Sequence, residues 1–215
     1  HSVEGVNPPR TDLIVARPEG LFCVPGNFHI DPWRPVERAV ITHAHADHAR
    51  FGHAHYLAAQ PGVGVLLSRL PGIDVQGLAY GEAVVVNGVR VSLHPAGHII
   101  GSSQVRVEYK GEVWVVSGDY KTEPDGISGE FEPIPCHTFI SESTFGLPIY
   151  NWKPQHEIYH DIQNWVRSNE VAGKTSVLIG YSLGKAQRVL QALEEVTGNI
   201  YVHGAIWNVQ EALLQ

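Results

Sequence analysis

The sequence contains no methionine and only two cysteines, Cys23 and Cys136, among 215 residues. Two cysteines so far apart fit neither a disulfide-rich domain nor a zinc-knuckle spacing, so we expect two buried thiols. No apolar run approaches the roughly 18 residues that a membrane helix needs. The first six residues also lack the basic and apolar regions of a signal peptide. These absences favour a soluble, cytoplasmic protein, and the histidine at position 1 predicts a trimmed chain.

The sequence also lacks an excess of positive charge. Fifteen Lys and Arg residues against 22 Asp and Glu residues give a net charge of −7, which excludes a general basic surface for nucleic acid. Any site for a polyanion must therefore be local. Thirteen histidines remain outside that count, and histidines and bound metal ions can both supply local positive charge.

Short β-branched runs separated by Gly, Pro and Asn dominate the first part of the chain and predict strands. Two hairpins are expected, one turning at Asn87-Gly88 and one at Lys110-Gly111, because these residues accept positive φ angles. The remaining predicted strands are Leu13 to Ala16, Leu21 to Val24, Ala39 to Thr42 and Val63 to Ser68.

The rhythm changes after about Gly146, where helical patterns alternate with short strand patterns. We expect helices from Pro154 to Ser168 and from Gly184 to Val196, and a final helix at the end of the sequence. Strands are predicted over Thr175 to Tyr181 and Ile200 to His203. Such alternation is typical of βαβ units with a parallel sheet. It predicts two domains, residues 1–146 and residues 147–215.

The strongest chemical signal is the run His43-Ala-His45-Ala-Asp47-His48, which follows the predicted strand that ends at Thr42. Residues two apart at a strand end project to the same side, so His43 and His45 can hold one ion together. Asp47 and His48 point differently and suit a second ion. Neutral imidazoles and carboxylates are good ligands for zinc or iron, so this run predicts a metal site.

Two later residues fit the same site. His98 follows a predicted strand and the glycine at position 97, and Asp119 ends the apolar strand that starts at Val113. A lone histidine or aspartate at a strand end is usually structural. Downstream of four candidate ligands, both residues are expected to bind metal.

This pattern resembles the metallo-β-lactamase fold superfamily, whose motif is His-x-His-x-Asp-His followed by a histidine beside glycine and an aspartate at a strand end. Glu142, in the segment Thr138–Gly146, and the segment Gly180–Gln187 resemble the β-CASP branch, which processes nucleic acids. The whole chain is similar to bacterial ligase-associated DNA exonucleases, which are relatives of Artemis and the crosslink-repair nucleases.

The resemblance implies a fold and a ligand set. The fold would be a four-layer αβ/βα sandwich of the α/β (α+β) class, with the start of an inserted β-CASP cap. One zinc ion would be held by His43, His45 and His98, a second by Asp47 and His48, and Asp119 would bridge them. Manganese or iron are alternatives to zinc. Glu142 would orient a proton donor.

The resemblance also implies an activity. Two metal ions about 3.5 to 4 Å apart activate water and clamp the oxygens of a phosphodiester, so Asp47 would lie close to the attacking hydroxide. We expect a 5′-to-3′ exonuclease in DNA repair that binds DNA, with a DNA ligase as neighbour. RNA processing is the alternative in the same branch. A metallo-hydrolase of a small ester, thioester or lactam and a catalytically silent nucleic-acid-binding scaffold are alternatives of other classes.

The segment Gly180-Tyr-Ser182-Leu-Gly184-Lys185 lies between a predicted strand and a predicted helix. Backbone N–H groups, the Ser182 hydroxyl and the Lys185 ammonium could converge on a phosphate there, and an ordinary helix start explains the segment about equally well. The segment also matches the Gly-x-Ser-x-Gly elbow of serine hydrolases. Only 33 residues follow Ser182, which leaves little room for the rest of a triad.

A second motif, His156-Glu157-Ile-Tyr-His160, matches the zincin sequence His-Glu-x-x-His. The apolar residues Ile158, Ile162, Trp165 and Val166 define the buried stripe of the same helix. Both histidines fall on the opposite side, so we expect them to face solvent. Phe145, Tyr150 and Trp152 are candidates for base stacking, whereas Trp114, Phe139, Trp165 and Trp207 are expected in the core.

Overall fold

The computed structural model describes residues 12–196 and 198–214. The first six residues, on which the prediction of no signal peptide depends, lie outside this range. Within it the chain forms two sheets and four α-helices. The strands are β1 (Ile14–Arg17), β2 (Gly20–Cys23), β3 (Phe28–Ile30), β4 (Arg38–Ile41), β5 (His55–Ala59), β6 (Val75–Leu78), β7 (Ala83–Val86), β8 (Val89–Pro95), β9 (Ser103–Tyr109), β10 (Glu112–Val116) and β11 (Thr138–Ile140). The helices are α1 (Val63–Arg69), α2 (Gln155–Val171), α3 (Lys185–Ala192) and α4 (Gly204–Leu213).

The first sheet has the order β1-β2-β3-β4-β5-β6. β1, β2 and β3 are antiparallel neighbours, whereas β3 to β6 run parallel to one another. In a parallel arrangement the carboxyl ends of neighbouring strands meet at one edge. The end of β3 at Ile30 therefore lies beside the end of β4 at Ile41, where the histidine-rich run begins.

The second sheet has the order β11-β10-β9-β8-β7 and is an antiparallel meander up to β10, to which β11 is added in parallel. Both predicted hairpins are confirmed. Asn87 and Gly88 have φ angles of 49° and 82°, and Lys110 and Gly111 have 50° and 82°. Positive φ at both central residues is the signature of the type I′ turn, which matches the twist of paired strands.

The two sheets pack face to face over an apolar core. Alternate residues of β8 and β9 point inward, and Val89, Leu93 and Val107 are completely buried. Phe28 and Ile30 of the first sheet belong to the same cluster. Burial of such side chains contributes about 1.5–3 kcal/mol each, so this layer dominates the stability of the fold.

A second apolar cluster covers the other face of the first sheet. Val65 and Leu66 of α1 and Val209 of α4 pack there against Ile41 and Ala58. Two packed sheets with helices against the first are consistent with the α+β sandwich that the resemblance implies. Cys23 is fully buried and Cys136 is partly buried, and both are free thiols.

The strand predicted over Val63 to Ser68 is wrong, because these residues form α1. A short continuous apolar run does not distinguish a strand from a buried helix by periodicity. Gln60-Pro61-Gly62 forms a 3-10 turn directly before α1, and Pro in a first helical turn pre-sets its φ angle. Gly64 allows α1 to pack closely against α4, since a Cβ at this position would lie 2.6 Å from the Ala212 carbonyl oxygen of α4.

Among residues after Gly146, the three predicted helices are confirmed as α2, α3 and α4. The strands predicted over Thr175 to Tyr181 and Ile200 to His203 are wrong, because neither segment pairs with a strand in the described ranges. A strand exists only when its N–H and C=O groups bond to a neighbour. Without one, Val177 and Ile179 are 72% and 94% exposed.

The buried stripe predicted for α2 is only partly correct. Val166 is buried and Ile162 is partly buried, but Ile158 and Trp165 are 38% and 46% exposed. Of the aromatic residues expected in the core, Trp114 packs against it, whereas Phe139 and Trp207 are exposed like Trp165. None of the described helices is both long and apolar enough to span a bilayer.

Candidate metal centre

The ends of three strands bring the predicted ligands together. His43 and His45 follow β4, His98 follows β8, and Asp119 follows β10. Gly118 allows the Asp119 loop to reach the β4 end, because a Cβ at its φ of 55° would lie 2.7 Å from Thr42 Cβ. The two sheets are also joined here by the Ser103 N–H, which donates to the Thr42 carbonyl at 2.8 Å.

Gly97 brings the backbone beside His98 close to the chain that follows Asp119. At its φ of 75°, a Cβ would lie 2.3 Å from the Lys121 carbonyl oxygen. The close backbone approach beside His98 is therefore to the segment that follows Asp119. This approach holds the His98 loop and the Asp119 loop against each other.

Four ligand atoms converge at the centre, one each from His43, His45, His98 and Asp119, and all lie within 4.8 Å of one another. His45 Nδ1 lies 3.1 Å from His43 Nε2 and 3.2 Å from His98 Nε2. Asp119 Oδ2 lies 3.8 Å from His43 Nε2 and 3.7 Å from His98 Nε2. The structure thus brings together the residues predicted for the first ion with the predicted bridging carboxylate.

A second group of atoms adjoins the first. His48 Nε2 lies 3.5 Å from Asp47 Oδ2 and 3.4 Å from Asp119 Oδ1. The two oxygens of Asp119 therefore face different histidines, as a bridging carboxylate requires. The side chain of Asp47 is 74% exposed and lies on the open side of the centre.

Asp31, at the end of β3, is a functional candidate that the sequence analysis missed. Its Oδ1 accepts the Thr42 N–H at 2.7 Å, and its Oδ2 accepts the Thr42 hydroxyl at 2.5 Å. Oδ2 also lies 2.7 Å from His48 Nδ1. In the sequence, Asp31 is an aspartate directly after a short apolar strand. That position indicates a role at the centre only when β3 is known to pair with β4.

These contacts determine which nitrogen of each imidazole carries a proton. The carboxylate of Asp31 only accepts, so His48 Nδ1 donates to it and Nε2 faces Asp47 and Asp119. The Thr42 hydroxyl proton goes to Asp31, so Thr42 Oγ1, 3.0 Å from His43 Nδ1, accepts from that nitrogen. His43 Nε2 then presents a lone pair to the centre. Such outer hydrogen bonds orient metal-binding histidines.

His45 is oriented by the backbone of Leu183, a residue 138 positions later in the chain. Its Nε2 lies 3.1 Å from the Leu183 carbonyl, which can only accept a hydrogen bond, so Nε2 carries the proton and Nδ1 faces the centre. The Arg69 guanidinium donates to the carbonyl of Ala44 and holds the same loop from α1. His43 and His45 therefore present lone pairs inward, and Asp31 holds His48 with Nε2 toward the carboxylates of the centre.

Burial and crowding shift the pKa values at the centre. Burial, and next the neighbouring histidines, hold the pKa of His43 well below its usual value. Burial lowers the pKa of His98 to about 4, with His45 and Arg188 adding to the effect. Burial also raises the pKa of Asp119, and the Glu142 and Asp47 carboxylates raise it further. Burial opposes the charged form of His48, but Asp31, Asp119 and Asp47 together raise its pKa.

This donor set suits a metal ion. His43 and His98 are neutral at pH 7 by these pKa values, and His43 carries no proton on the nitrogen that faces the centre. A divalent cation at this position would favour the ionised form of Asp119, whose pKa burial raises, and would accept the lone pairs of the neutral imidazoles. The closely packed imidazoles and carboxylates thus match the ligand chemistry of a metallohydrolase.

Glu142 lies at the same edge because β11 runs parallel to β10. Its N–H donates to Ser117 Oγ at 3.4 Å, and its Oε2 accepts the Thr144 N–H at 2.7 Å. Its charge acts on both His98 and Asp119. Glu142 therefore borders the centre without being one of the converging ligands.

The Ser182 to Lys185 segment adjoins the centre through Leu183. The N–H of Gly184 donates to Gln187 Oε1 at 2.6 Å, and the N–H of Ala186 donates to the Tyr181 carbonyl at 3.0 Å. Two backbone donors at the start of α3 are therefore already bonded. The Lys185 ammonium remains exposed, 5.9 Å from the centre of the Tyr181 ring.

Neither competing motif forms a site among the described residues. His156 and His160 are exposed on α2 and contribute to none of the metal-capable groups found in residues 12–196 and 198–214. His203 Nδ1 accepts the Ala205 N–H and caps α4. In the same ranges no histidine bonds to the Ser182 hydroxyl, so a serine triad is not assembled.

Comparison with known proteins gives relatives for most of the chain. A probable DNA ligase of Opitutus terrae is 33% identical over 193 residues, which cover 86% of this chain and 18% of that protein. Endoribonuclease YSH1 of Saccharomyces cerevisiae is 28% identical over 56% of this chain and 16% of its own length. RNase aCSPSF2 of Saccharolobus solfataricus is 31% identical over 55% of this chain and 24% of its own length.

The chain therefore spans less than a quarter of the length of these relatives. No family model matches it. A crystal structure of a protein of unknown function from Enterococcus faecalis V583 aligns with 82% of this chain and 48% of its own, with a TM-score of 0.56 and 14% identity. That likeness supports the fold alone.

Proposed function

The chain resembles the β-CASP nucleases of the metallo-β-lactamase fold, and on that premise we propose that it is a metal-dependent phosphodiesterase that degrades DNA. The carrying observation is the convergence of His43, His45, His98 and Asp119 within 4.8 Å. A surface run of histidines would have no reason to meet residues 50 to 75 positions away on two other strands.

We propose zinc as the metal, since imidazole nitrogen and carboxylate oxygen are its usual ligands outside thiolate sites. His43, His45 and His98 would hold one ion, Asp47 and His48 a second, and Asp119 would lie between them. Such a pair supplies a water of lowered pKa and positive charge against the oxygens of a phosphodiester. Manganese or iron would satisfy the same ligands less typically.

The chain's own residues set up this chemistry. Asp31 and Thr42 orient His43 and His48, and the Leu183 carbonyl orients His45. Asp47, on the exposed side, faces the position of incoming substrate and accepts a proton or hydrogen bond there. We assign Glu142 the role of orienting a proton donor, because its charge reaches His98 and Asp119 from the edge of the centre.

For the substrate phosphate we propose Lys185, with Ser182 and Gly184. Lys185 Nζ is exposed and pairs with no carboxylate among the described residues. Because two of the nearby amides are already bonded, its ammonium is the principal phosphate ligand of this segment. It would contribute to binding a 5′-phosphorylated end.

DNA is the preferred substrate because the relative that matches 86% of the chain is named a probable DNA ligase, and a ligase is the proposed functional neighbour. A 5′-to-3′ exonuclease in DNA repair is the specific form of the proposal. RNA is the second candidate, since the relatives named as RNases match a little over half of the chain. We further propose that residues 147–215 are the first part of a β-CASP-like cap.

The test is metal content by elemental analysis with hydrolysis of 5′-phosphorylated single-stranded DNA and RNA. Two zinc equivalents and loss of DNA from the 5′ end are expected. Asp47→Ala and His48→Ala should abolish hydrolysis while circular dichroism stays unchanged. Full activity in either variant would contradict the assignment of Asp47 and His48 as ligands of the second ion. Preferential hydrolysis of RNA would replace the DNA proposal by its alternative.

Lys185→Ala tests the phosphate ligand separately. It should weaken use of a 5′-phosphorylated strand more than use of the same strand with a 5′-hydroxyl. Equal effects on both strands would mean that Lys185 does not bind the 5′-phosphate. Lys174→Ala, which removes another exposed lysine that contributes to no metal-capable group, is the matched control and should change neither.

A further inference from the structure

Three aromatic rings form a cluster on the surface directly after Glu142. The ring of Phe145 lies 4.9 Å from that of Tyr150 and 5.3 Å from that of Trp152, and both contacts are edge-to-face. The Tyr150 and Trp152 rings are nearly parallel, at an interplanar angle of 5° and a centroid separation of 6.2 Å. The cluster therefore has fixed geometry although it lies outside the core.

The rings of this aromatic cluster remain available to a ligand. Phe145, Tyr150 and Trp152 are 57%, 43% and 66% exposed. Three adjacent exposed rings are an uncommon surface, because apolar area in water costs about 25 cal/mol per Å².

The aromatic cluster is tied to the metal centre through Glu142. The Thr144 N–H donates to Glu142 Oε2 at 2.7 Å, and Phe145 is the next residue. The rings therefore follow Glu142 by three to ten residues, on the segment that leaves the edge of the centre, and a strand of nucleic acid that runs along this segment would meet them.

A groove of about 510 Å³ runs from Trp152 along the start of α2, with Gln155 and Tyr159 in its wall. Lys121, two residues after Asp119, donates from Nζ to Gln155 Oε1 at 3.3 Å. Arg188 on α3 acts electrostatically on Lys121, Tyr159 and His98, and forms no ion pair among the described residues. Lys121 thus contacts the wall of the groove at Gln155, and Arg188 lies near Lys121 and Tyr159, while Glu123 lines the same groove.

We propose that the aromatic cluster of Phe145, Tyr150 and Trp152 stacks the bases of a single strand of nucleic acid, whose phosphates contact Lys121 and Arg188. This inference rests on the proposed function, since it assumes that the strand reaches the metal centre. Every base has a π face, so stacking on aromatic rings is tolerant of sequence. Cations for the phosphates and rings for the bases are the two elements of such a track.

The net charge of −7 is the reason to expect both phosphate contacts and base stacking in the binding of a strand. An acidic protein gains little affinity for a polyanion from its general field, so phosphate contacts must be few and local. Base stacking is largely independent of charge and supplies the missing affinity. The proposal therefore predicts binding that survives moderate salt better than purely electrostatic binding.

The experiment compares two fluorescent single strands of equal length, an oligothymidylate and an abasic strand of the same backbone, each of about twelve nucleotides. Binding is measured by anisotropy in a chelator, so no hydrolysis occurs and the outcome is independent of catalysis. Trp152→Ala should weaken binding of the oligothymidylate about tenfold and leave binding of the abasic strand unchanged. Tyr150→Ala should have a smaller effect of the same kind.

Trp165→Ala is the matched control. Trp165 is 46% exposed and lies on α2, about 15 Å beyond Gln155 along the helix axis. It should bind both strands as the parent chain does. Arg188→Gln should weaken both strands equally and reduce the dependence of binding on salt.

Equal losses on both strands for Trp152→Ala, or no loss on either, would overturn the stacking proposal. So would a parent chain that self-associates through this surface, seen as a concentration-dependent mass that Trp152→Ala abolishes without affecting oligonucleotide binding. Base-dependent binding without hydrolysis by the metal-loaded chain would support the aromatic cluster and count against the proposed function alone.

Discussion

The predicted strands of residues 12–146 and those of the described residues after 146 differ in how they bury apolar side chains. In the first region Val89, Leu93 and Val107 are completely buried between two sheets. In the second region Ile179 and Tyr201 are 94% and 88% exposed on segments that the sequence predicts as strands. The comparison teaches that a correct local pattern gives structure only where its hydrogen-bonding and packing partners are present.

The metal centre belongs almost entirely to the first region, and its ligands come from strands whose partners are all present. The second region contributes one carbonyl, that of Leu183, to the orientation of His45. Substitution of a residue of the first region and of a matched residue of the second should therefore affect metal binding and stability to different extents.

The largest contrast is between His43→Ala and His156→Ala. His43 is buried at the centre, and its loss should abolish binding of at least one metal equivalent, whereas His156 is exposed and its loss should leave the metal content unchanged. Elemental analysis after dialysis measures both. Equal metal loss in the two variants would mean that the zincin-like motif of α2 binds metal after all.

The next contrast concerns packing. Leu93→Ala removes a completely buried side chain and should lower the free energy of unfolding by about 2–5 kcal/mol. Ile179→Ala removes a side chain that is 94% exposed and should change it by less than about 0.5 kcal/mol. Urea unfolding followed by fluorescence measures both values. A large loss for Ile179→Ala would show that its segment is buried in solution.

Asp31→Asn tests the outer hydrogen bonds of the centre. The amide keeps the size of the side chain but weakens the acceptor for His48 Nδ1, so metal affinity should fall about 10- to 100-fold. Competition with a chromophoric chelator measures the affinity. Asp161→Asn, at an exposed carboxylate of α2 that pairs with Lys153, is the control and should not change it. Unchanged affinity in Asp31→Asn would restrict Asp31 to joining β3 and β4.

The smallest effect is expected at Tyr80, whose hydroxyl donates to the Ser102 carbonyl at 2.8 Å. Tyr80→Phe should lower the free energy of unfolding by about 1 kcal/mol near neutral pH. Burial raises the pKa of Tyr80 to about 12, above its unfolded value of 10.0. Its contribution is therefore complete below pH 10 and is lost as the pH rises from 10 towards 12.

Urea unfolding at several pH values between 9 and 12 checks this dependence. The parent chain should lose stability relative to Tyr80→Phe over that window, because ionisation of Tyr80 is easier in the unfolded chain. Tyr201→Phe, at a tyrosine that is 88% exposed, should follow the parent chain throughout. Parallel curves for the parent chain and Tyr80→Phe would contradict the raised pKa.

The sequence predicted those features that short-range chemistry determines. Asn87-Gly88 and Lys110-Gly111 specify their hairpins because few other residue pairs accept positive φ at both positions. His43 and His45 share a direction because they follow a strand, and the spacing alone contains that information. The helices α2, α3 and α4 have patterns long enough to be distinguished from strands.

Features that depend on distant neighbours were missed. Asp31 acquires a role only because β3 and β4 are adjacent and parallel, and no local pattern contains that pairing. Val63 to Ser68 forms a helix because Gly64 lets α1 approach α4, a contact with a residue about 150 positions away. Burial of Trp165 and Trp207 was overestimated for the same reason, since composition does not show which helix face has a neighbour.

The hydrogen bond from His45 Nε2 to the Leu183 carbonyl connects a candidate metal ligand to the loop that precedes α3, so metal binding and docking of this loop would be coupled. If docking of the Leu183 loop raises the affinity of the centre for a cation, occupancy of the centre must strengthen that docking by the same factor. Cleavage of the chain between residues 146 and 154 should therefore be slower in the loaded protein than in chelator. The rate at which a protease separates the two regions would then report on the metal without any substrate being present.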